Sequence, residues 1–212
     1  MTAANAEAEA AVRAACAVGD IDRATTLALR AYGGEIYGLL AALHRAEGEA
    51  DDAFAVFSEK LWRTLGRFAW DCSLRSWVYL LARHASRDVR RGERRRRRRE
   101  EPLGPGSAIE AVAAAVRTET ATFLRTETKT AMQRVREELP EDDQLLLVLR
   151  IDRGLPWDEL VPIFLEQAEG VERGSPLPAD VRKRESARLR KRMEAVKKRV
   201  VALATARGLL HR

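Results

Sequence analysis

Apolar residues recur along this chain at intervals of three and four, and that spacing predicts one helix after another. Over 51–68, Phe57, Leu61 and Leu65 fall on one stripe, with Asp51 and Asp52 at the start, where carboxylates complement the helix dipole. A break at Ala69-Trp70-Asp71-Cys72-Ser73 ends on a residue suited to N-cap the next helix. That helix, 74–91, carries Trp77, Leu81 and Ala85 on one face, and Arg83, Arg87, Arg90 and Arg91 largely off it. Upstream, 20–30 and 32–45 read as two short helices, or as one long helix weakened by Gly33-Gly34. The Ala-rich residues 1–19 read as a frayed helical extension.

The pattern resumes after a break. Ser107 and Glu110 form a capping box ahead of Ile109, Val112, Ala113 and Val116. Over 117–139, Leu124, Ala131 and Val135 keep a narrow apolar stripe that Pro140 ends. Residues 141–150 are acidic at the start and then strongly apolar, and Gly154 closes them. Pro156 opens a helix whose apolar positions are Trp157, Leu160, Val161, Phe164 and Leu165; Pro162 inside it demands a short or kinked helix. A loop over 166–178 precedes a long basic helix, 179–207, with a thin seam of Val181, Leu189, Val196, Val200 and Leu203. No alternating Val/Ile/Thr run is bounded by turns, so the expected fold is all-α.

Charge divides the chain. Residues 83–99 hold ten Arg against Asp88 and Glu93, and 181–212 hold twelve Lys/Arg against Glu185 and Glu194. The two segments carry +8 and +10, which leaves −12 for the rest of a chain whose total is +6. Two basic segments on an acidic body suit a long polyanion touched at two places, or simply two solvated charge runs. The six arginines Arg94–Arg99, followed by Pro102-Leu103-Gly104-Pro105-Gly106, mark a linker: like charges repel and Pro/Gly stops helix. The expected division is 1–19 as an extension, 20–92 as one domain, 93–116 as linker and 117–212 as a second domain.

Candidate chemistry is that of binding. The three histidines have no metal-ligand partners at helical spacing, Cys16 and Cys72 form no metal or redox motif, and no Gly-rich nucleotide loop occurs. No cofactor and no catalytic residue is expected. No apolar run is long enough to span a membrane and the N-terminus lacks a signal peptide's pattern, so a cytoplasmic protein is expected. The last two helices have helix-turn-helix order, a short apolar helix behind a basic one that can enter the major groove. The alternative is an exposed charged helix of a coiled coil or RNA-binding segment, and the 166–178 turn is far longer than usual. Phe68, Trp70, Trp77 and Tyr79 cluster beside arginines, an arrangement that suits unpaired bases; for Trp77 the competing reading is core packing on the Leu81 stripe.

Two stretches resemble a known family. Ala50-Asp51-Asp52-Ala53 through Phe57 and Leu61-Trp62 resembles an acidic start leading to a late Trp. Ser73-Leu74-Arg75-Ser76-Trp77-Val78-Tyr79 with Leu81-Ala82-Arg83-His84 resembles the pattern S-F-R-x-W-L-Y-x-I-A-R-N, and Arg90-Arg91 match its closing arginines. Leu139-Pro140, Gly154-Leu155-Pro156-Trp157-Asp158-Glu159-Leu160 and Arg188-Leu189-Arg190-Lys191-Arg192 resemble the fourth conserved region of the same family. The family is the bacterial RNA polymerase sigma factors of the extracytoplasmic-function type, within the sigma-70 family, and the likeness covers about 25–92 and 118–205. The chain departs from it in Ala55-Val56, where Gln-Glu is common, in the expanded last turn, and in the Arg94–Arg99 run.

The resemblance implies two helical domains, a region 2 bundle and a region 4 helix-turn-helix, on a flexible linker. Asp51, Asp52, Val56, Phe57, Lys60, Leu61 and Trp62 would dock on the β′ clamp helices of core RNA polymerase. Phe68, Trp70, Arg75, Trp77, Tyr79, Arg83, His84, Arg87, Arg90 and Arg91 would bind and open the −10 promoter element. Arg182, Lys183, Arg184, Ser186, Arg188, Arg190 and Lys191 would read the −35 element, with the second domain also on the β flap. An anti-sigma factor is a further partner the resemblance allows. The rival readings are a stand-alone helix-turn-helix regulator and a helical RNA- or scaffold-binding protein.

Overall fold

The computed structural model describes residues 3–44, 48–92, 109, 111–116, 131–165 and 177–209. These are mostly helical with no strand among them, so the fold is all-α. The chain divides into two compact units, Met1–Arg125 and Thr126–Arg212. The arginine run 94–99, the expected loop at 166–176 and all of 117–130 lie outside the described residues.

In the first unit, α1 (Ala3–Ala17), α2 (Ile21–Leu43), α3 (Glu49–Leu65) and α4 (Leu74–Arg90) form a bundle. α2 is its centre and packs on the other three. Gly33-Gly34 does not divide α2, which runs unbroken for 23 residues. Its start is fixed by Asp20, whose carboxylate accepts the Arg23 N–H at 3.0 Å. A buried row at Ala24, Ala28, Leu29, Tyr32, Ile36, Leu39, Leu40 and Leu43 outweighs the low helix propensity of two glycines.

Gly33 has a further reason to lack a side chain. A Cβ there would lie 2.8 Å from Cγ1 of Val116, on the helical stretch 111–116. Ile109 and Ala113 of the same stretch are buried. Residues 109–116, expected as linker, therefore belong to the first unit and press on α2. Gly33→Ala is expected to cost about 1 kcal/mol by overpacking, despite alanine's better helix propensity. Urea unfolding checks this, and adding Val116→Ala should return most of the loss.

α1 is likewise no loose extension. Val12 and Ala15 are buried, and the Tyr32 hydroxyl donates to the Asn5 carbonyl at 3.4 Å. Glu9 reaches across to accept the Leu74 N–H at 2.9 Å, at the start of α4. Ser73 caps the same helix by accepting from the Ser76 N–H at 3.1 Å, as its position predicts. α3 begins after Gly48 in a left-handed conformation and ends at Leu65, three residues before the expected end.

In the second unit, α5 (Ala131–Arg136) and α6 (Glu141–Leu147) meet at Pro140. The Gln144 amide donates to the Leu139 carbonyl at 2.7 Å and the Glu137 carbonyl at 3.3 Å, satisfying acceptors that the end of α5 leaves open. α6 does not continue as α-helix to 150 but widens into a π turn, Val148–Asp152. Gly154, at φ +66°, then reverses the chain as its position predicts. α7 (Trp157–Phe164) tolerates Pro162 because it has only eight residues.

α8 (Ala179–Ala206) packs on α7, and also on α5 and α6. Its buried seam is Ser186, Leu189, Met193, Val196 and Ala204. Val181 is half-buried and stands at the edge of that seam. Asp143 at the start of α6 fastens α8, pairing with Arg192 at 2.7 Å and Arg199 at 3.7 Å.

Candidate nucleic-acid interface

The seam of α8 fixes which residues it turns outward. Arg182, Lys183, Arg184, Arg188, Arg190 and Lys191 are all exposed, with the side chains of Arg184 and Arg188 at 68% and 81%. Glu185 approaches both of those at 3.5 Å, and Arg182 reaches the Leu177 carbonyl at 3.4 Å, so this outer face is lightly tethered. Ser186 is the exception among the expected contacts. It lies at 8% exposure on the buried seam, three residues before Leu189 and seven before Met193, so helical phase places it on the same inward face.

The corresponding set in the first unit is rearranged by packing. α4 is enclosed by both α2 and α3, which widens its buried arc beyond the Trp77–Leu81–Ala85 stripe. Tyr79 is fully buried and Arg83 is 3% exposed, so neither is a surface contact in this fold. The Tyr79 hydroxyl donates to Glu35 at 2.7 Å, and Arg75 pairs with the same carboxylate at 3.1 Å. The expected base and phosphate roles of Tyr79, Arg83 and Arg75 thus give way to internal bonds or burial. Phe68 too is taken into the core, at 8% exposure.

Phe68 is the floor of an aromatic stack. Trp77 lies parallel to it at 4.5 Å and Trp70 tilts against it at 4.7 Å. Both indoles remain half-exposed. Trp70 is the one non-glycine with positive φ (59°) among the described residues, a conformation that costs about 1 kcal/mol. Arg13 of α1 lies over its ring at 5.1 Å. The sequence carries no signal for this, since Arg13 lies in the Ala-rich stretch that reads as a frayed extension.

His84, Arg90 and Arg91 are exposed and Arg87 is half-buried; the Arg90 guanidinium closes on the Leu43 carbonyl. The His84 imidazole, on the surface yet packed against neighbouring side chains, has its pKa lowered. Desolvation leads, followed by the cations Lys60 and Arg83, with Asp88 opposing. These effects together disfavour its charged form.

The face expected to meet polymerase is divided in the same way. Phe57 and Leu61 are core residues at 1% and 0% exposure, so they cannot dock on a partner in this fold. Asp51, Asp52, Val56, Lys60 and Trp62 stay half-buried at its edge. Asp51 accepts the Tyr37 hydroxyl at 2.9 Å, Lys60 pairs with Asp88 at 2.8 Å, and the Trp62 indole donates to Asp22 at 2.9 Å.

Two other groups invite a chemical reading. Ser86 Oγ lies 2.9 Å from His44 Nε2, and His44 Nδ1 lies 3.3 Å from Glu49, in the order nucleophile, base, acid. Ser86 is 0% exposed, so no substrate can reach its oxygen in this fold; the chain of bonds ties α2, α3 and α4 together. Cys72 has its thiol pushed up to about 12, first by burial, then by Asp71 and Glu9. Native Cys72 is thus expected to resist alkylation at pH 8, where it is protonated, and to react as pH approaches 12; peptide mass spectrometry after iodoacetamide treatment checks this. No group of three or more His, Cys, Asp or Glu residues that could hold a metal occurs among the described residues.

The chain matches no protein-family model, no curated protein and no solved structure. No helix among the described residues is long and apolar enough to cross a membrane.

Proposed function

We propose that this chain is a promoter-recognition subunit of bacterial RNA polymerase, a sigma factor of the extracytoplasmic-function type. The observation that carries the reading is the outward face of α8. It presents Arg182, Lys183, Arg184, Arg188 and Lys191 as exposed side chains on one helix, with exposed Arg190 at the edge where that helix meets Trp157 of α7, and its buried seam is seated on the short helix α7. Groove entry needs that arrangement: long cationic side chains outward, an apolar seam behind. The Ser73–His84 motif supports assigning the first unit to the −10 element. There Trp70 and Trp77 offer half-exposed indoles near the start of α4, with Arg13 over Trp70, and Arg87, Arg90 and Arg91 lie towards the other end of that helix. Unpaired bases stack on such rings while guanidinium groups hold phosphate, so an opened strand gains contacts a duplex lacks.

In this reading Asp51, Asp52, Val56, Lys60 and Trp62 form the edge that meets core polymerase, in the cytoplasm, with no cofactor and no catalytic group. An anti-sigma factor that holds the chain inactive is compatible with it. The test is a pull-down on core polymerase followed by transcription from a pool of genomic promoters. Retention on core enzyme and initiation at a particular promoter are expected; failure to bind core enzyme overturns the reading. The α7–α8 pair also favours a stand-alone helix-turn-helix regulator. That alternative requires a dimer that binds a palindromic site with no polymerase present.

A further inference from the structure

Trp157 opens α7, and two guanidinium groups lie against its ring. The Arg150 carbon Cζ is 4.8 Å from the ring centroid and the Arg190 carbon Cζ 5.7 Å. They come from different elements, Arg150 from the π turn and Arg190 from α8. Like charges brought to one ring repel, so the arrangement calls for an anion or for carboxylate partners. The second unit supplies such partners to several other arginines. Arg136 meets Asp152, Arg192 and Arg199 meet Asp143, and Arg207 meets Glu138. Neither Arg150 nor Arg190 lies within ion-pair distance of a carboxylate among the described residues, although Asp158 and Glu159 follow Trp157 directly.

Arg150 is further aimed by its own bond, Nη1 donating to the Leu155 carbonyl at 2.7 Å. That bond engages one edge of its fork and leaves the remaining N–H groups for a ligand. The indole holds both cations by cation–π attraction and so limits the rotamer freedom each loses on binding.

We propose that Arg150, Trp157 and Arg190 form an oxyanion clamp for one DNA backbone phosphate, with Trp157 as its positioning residue. The proposal rests on the reading of α8 as the helix that enters the groove. Two guanidinium forks held at one ring from separate elements offer a donor fork to each of the two unesterified oxygens of a phosphodiester. A contact of this kind fixes register on the duplex and carries no base information. Arg190 would therefore serve the backbone, whereas base reading falls to its exposed neighbours on α8. The same chemistry accepts inorganic phosphate, and the experiment separates the two sources.

The full chain is titrated by fluorescence anisotropy with a promoter duplex and a random duplex, from 50 to 200 mM salt, as wild type, Arg150→Gln, Arg190→Gln, Trp157→Phe and Trp157→Ala. Each arginine variant is expected to reduce the slope of log affinity against log salt by about 0.9, the value of one phosphate contact. The loss should be the same on both duplexes. Trp157→Phe should keep most of the affinity, and Trp157→Ala should match the arginine variants with helix content intact by circular dichroism.

An unchanged salt slope in both arginine variants overturns the clamp, as does a loss confined to the promoter duplex. Competition by inorganic phosphate at low millimolar concentration, with no arginine effect on duplex binding, assigns the site to a free anion and also overturns it. If core polymerase is not bound while the arginine slopes still fall, the sigma-factor reading fails and the clamp stands. The arginine variants leave Trp157 in place, so the test survives if Trp157→Ala fails to fold.

Discussion

Replacing Arg182, Lys183, Arg188 and Lys191 together by glutamine is expected to lower promoter affinity by about a hundredfold at physiological salt, and to lower the salt slope by about 3–4. All four side chains are exposed on α8, and none belongs to the buried seam of Leu189, Met193 and Val196 that anchors the helix. The fold should therefore be kept, with helix content unchanged by circular dichroism. Anisotropy titration at several salt concentrations measures both quantities, and a pull-down on core polymerase in parallel should show undiminished binding through the first unit. Near-wild-type affinity in the fourfold variant would remove α8 from the DNA interface altogether.

The second large effect is one of stability. Tyr79→Ala is expected to destabilise the first unit by about 3–5 kcal/mol, through the cavity left by a fully buried aromatic ring. Tyr79→Phe should cost about 1 kcal/mol, because Glu35 keeps Arg75 as a partner when the hydroxyl is gone. Urea unfolding gives both values. DNA binding by the phenylalanine variant, measured well below its melting temperature, should equal that of the wild type. A selective loss of DNA affinity with stability unchanged would instead return Tyr79 to the surface role its motif suggests.

These two experiments mark where pattern reading succeeds and where it stops. On α8 the apolar seam is thin and the rest of the helix strongly basic, so periodicity alone assigns the outward residues; only Ser186, small and polar, escapes it. On α4 the same method fails for Tyr79 and Arg83. A polar or charged residue beside an apolar stripe reads as exposed, yet α4 lies against two neighbours and buries a broader arc. Phe57 and Leu61 were legible as an apolar stripe, and their place in the core follows from that pattern more directly than a docking role does.

Contacts distant in sequence were not legible. Arg13 over Trp70, Glu9 on the Leu74 amide and Val116 against Gly33 join residues far apart along the chain. Residues 1–19 and 109–116 therefore looked like extension and linker, because a run of small alanine side chains says little about what a short helix packs on.

Helix content, the capping by Asp20 and Ser73, the turn at Gly154 and the division of charge into two basic segments were set by the sequence alone. Each depends on neighbours within a turn or two, where propensity and dipole act directly. Which aromatic is buried, which arginine meets a carboxylate and which two lie on Trp157 with no carboxylate partner among the described residues were decided only by tertiary structure. Those outcomes depend on desolvation and on distances between elements, which no local pattern encodes.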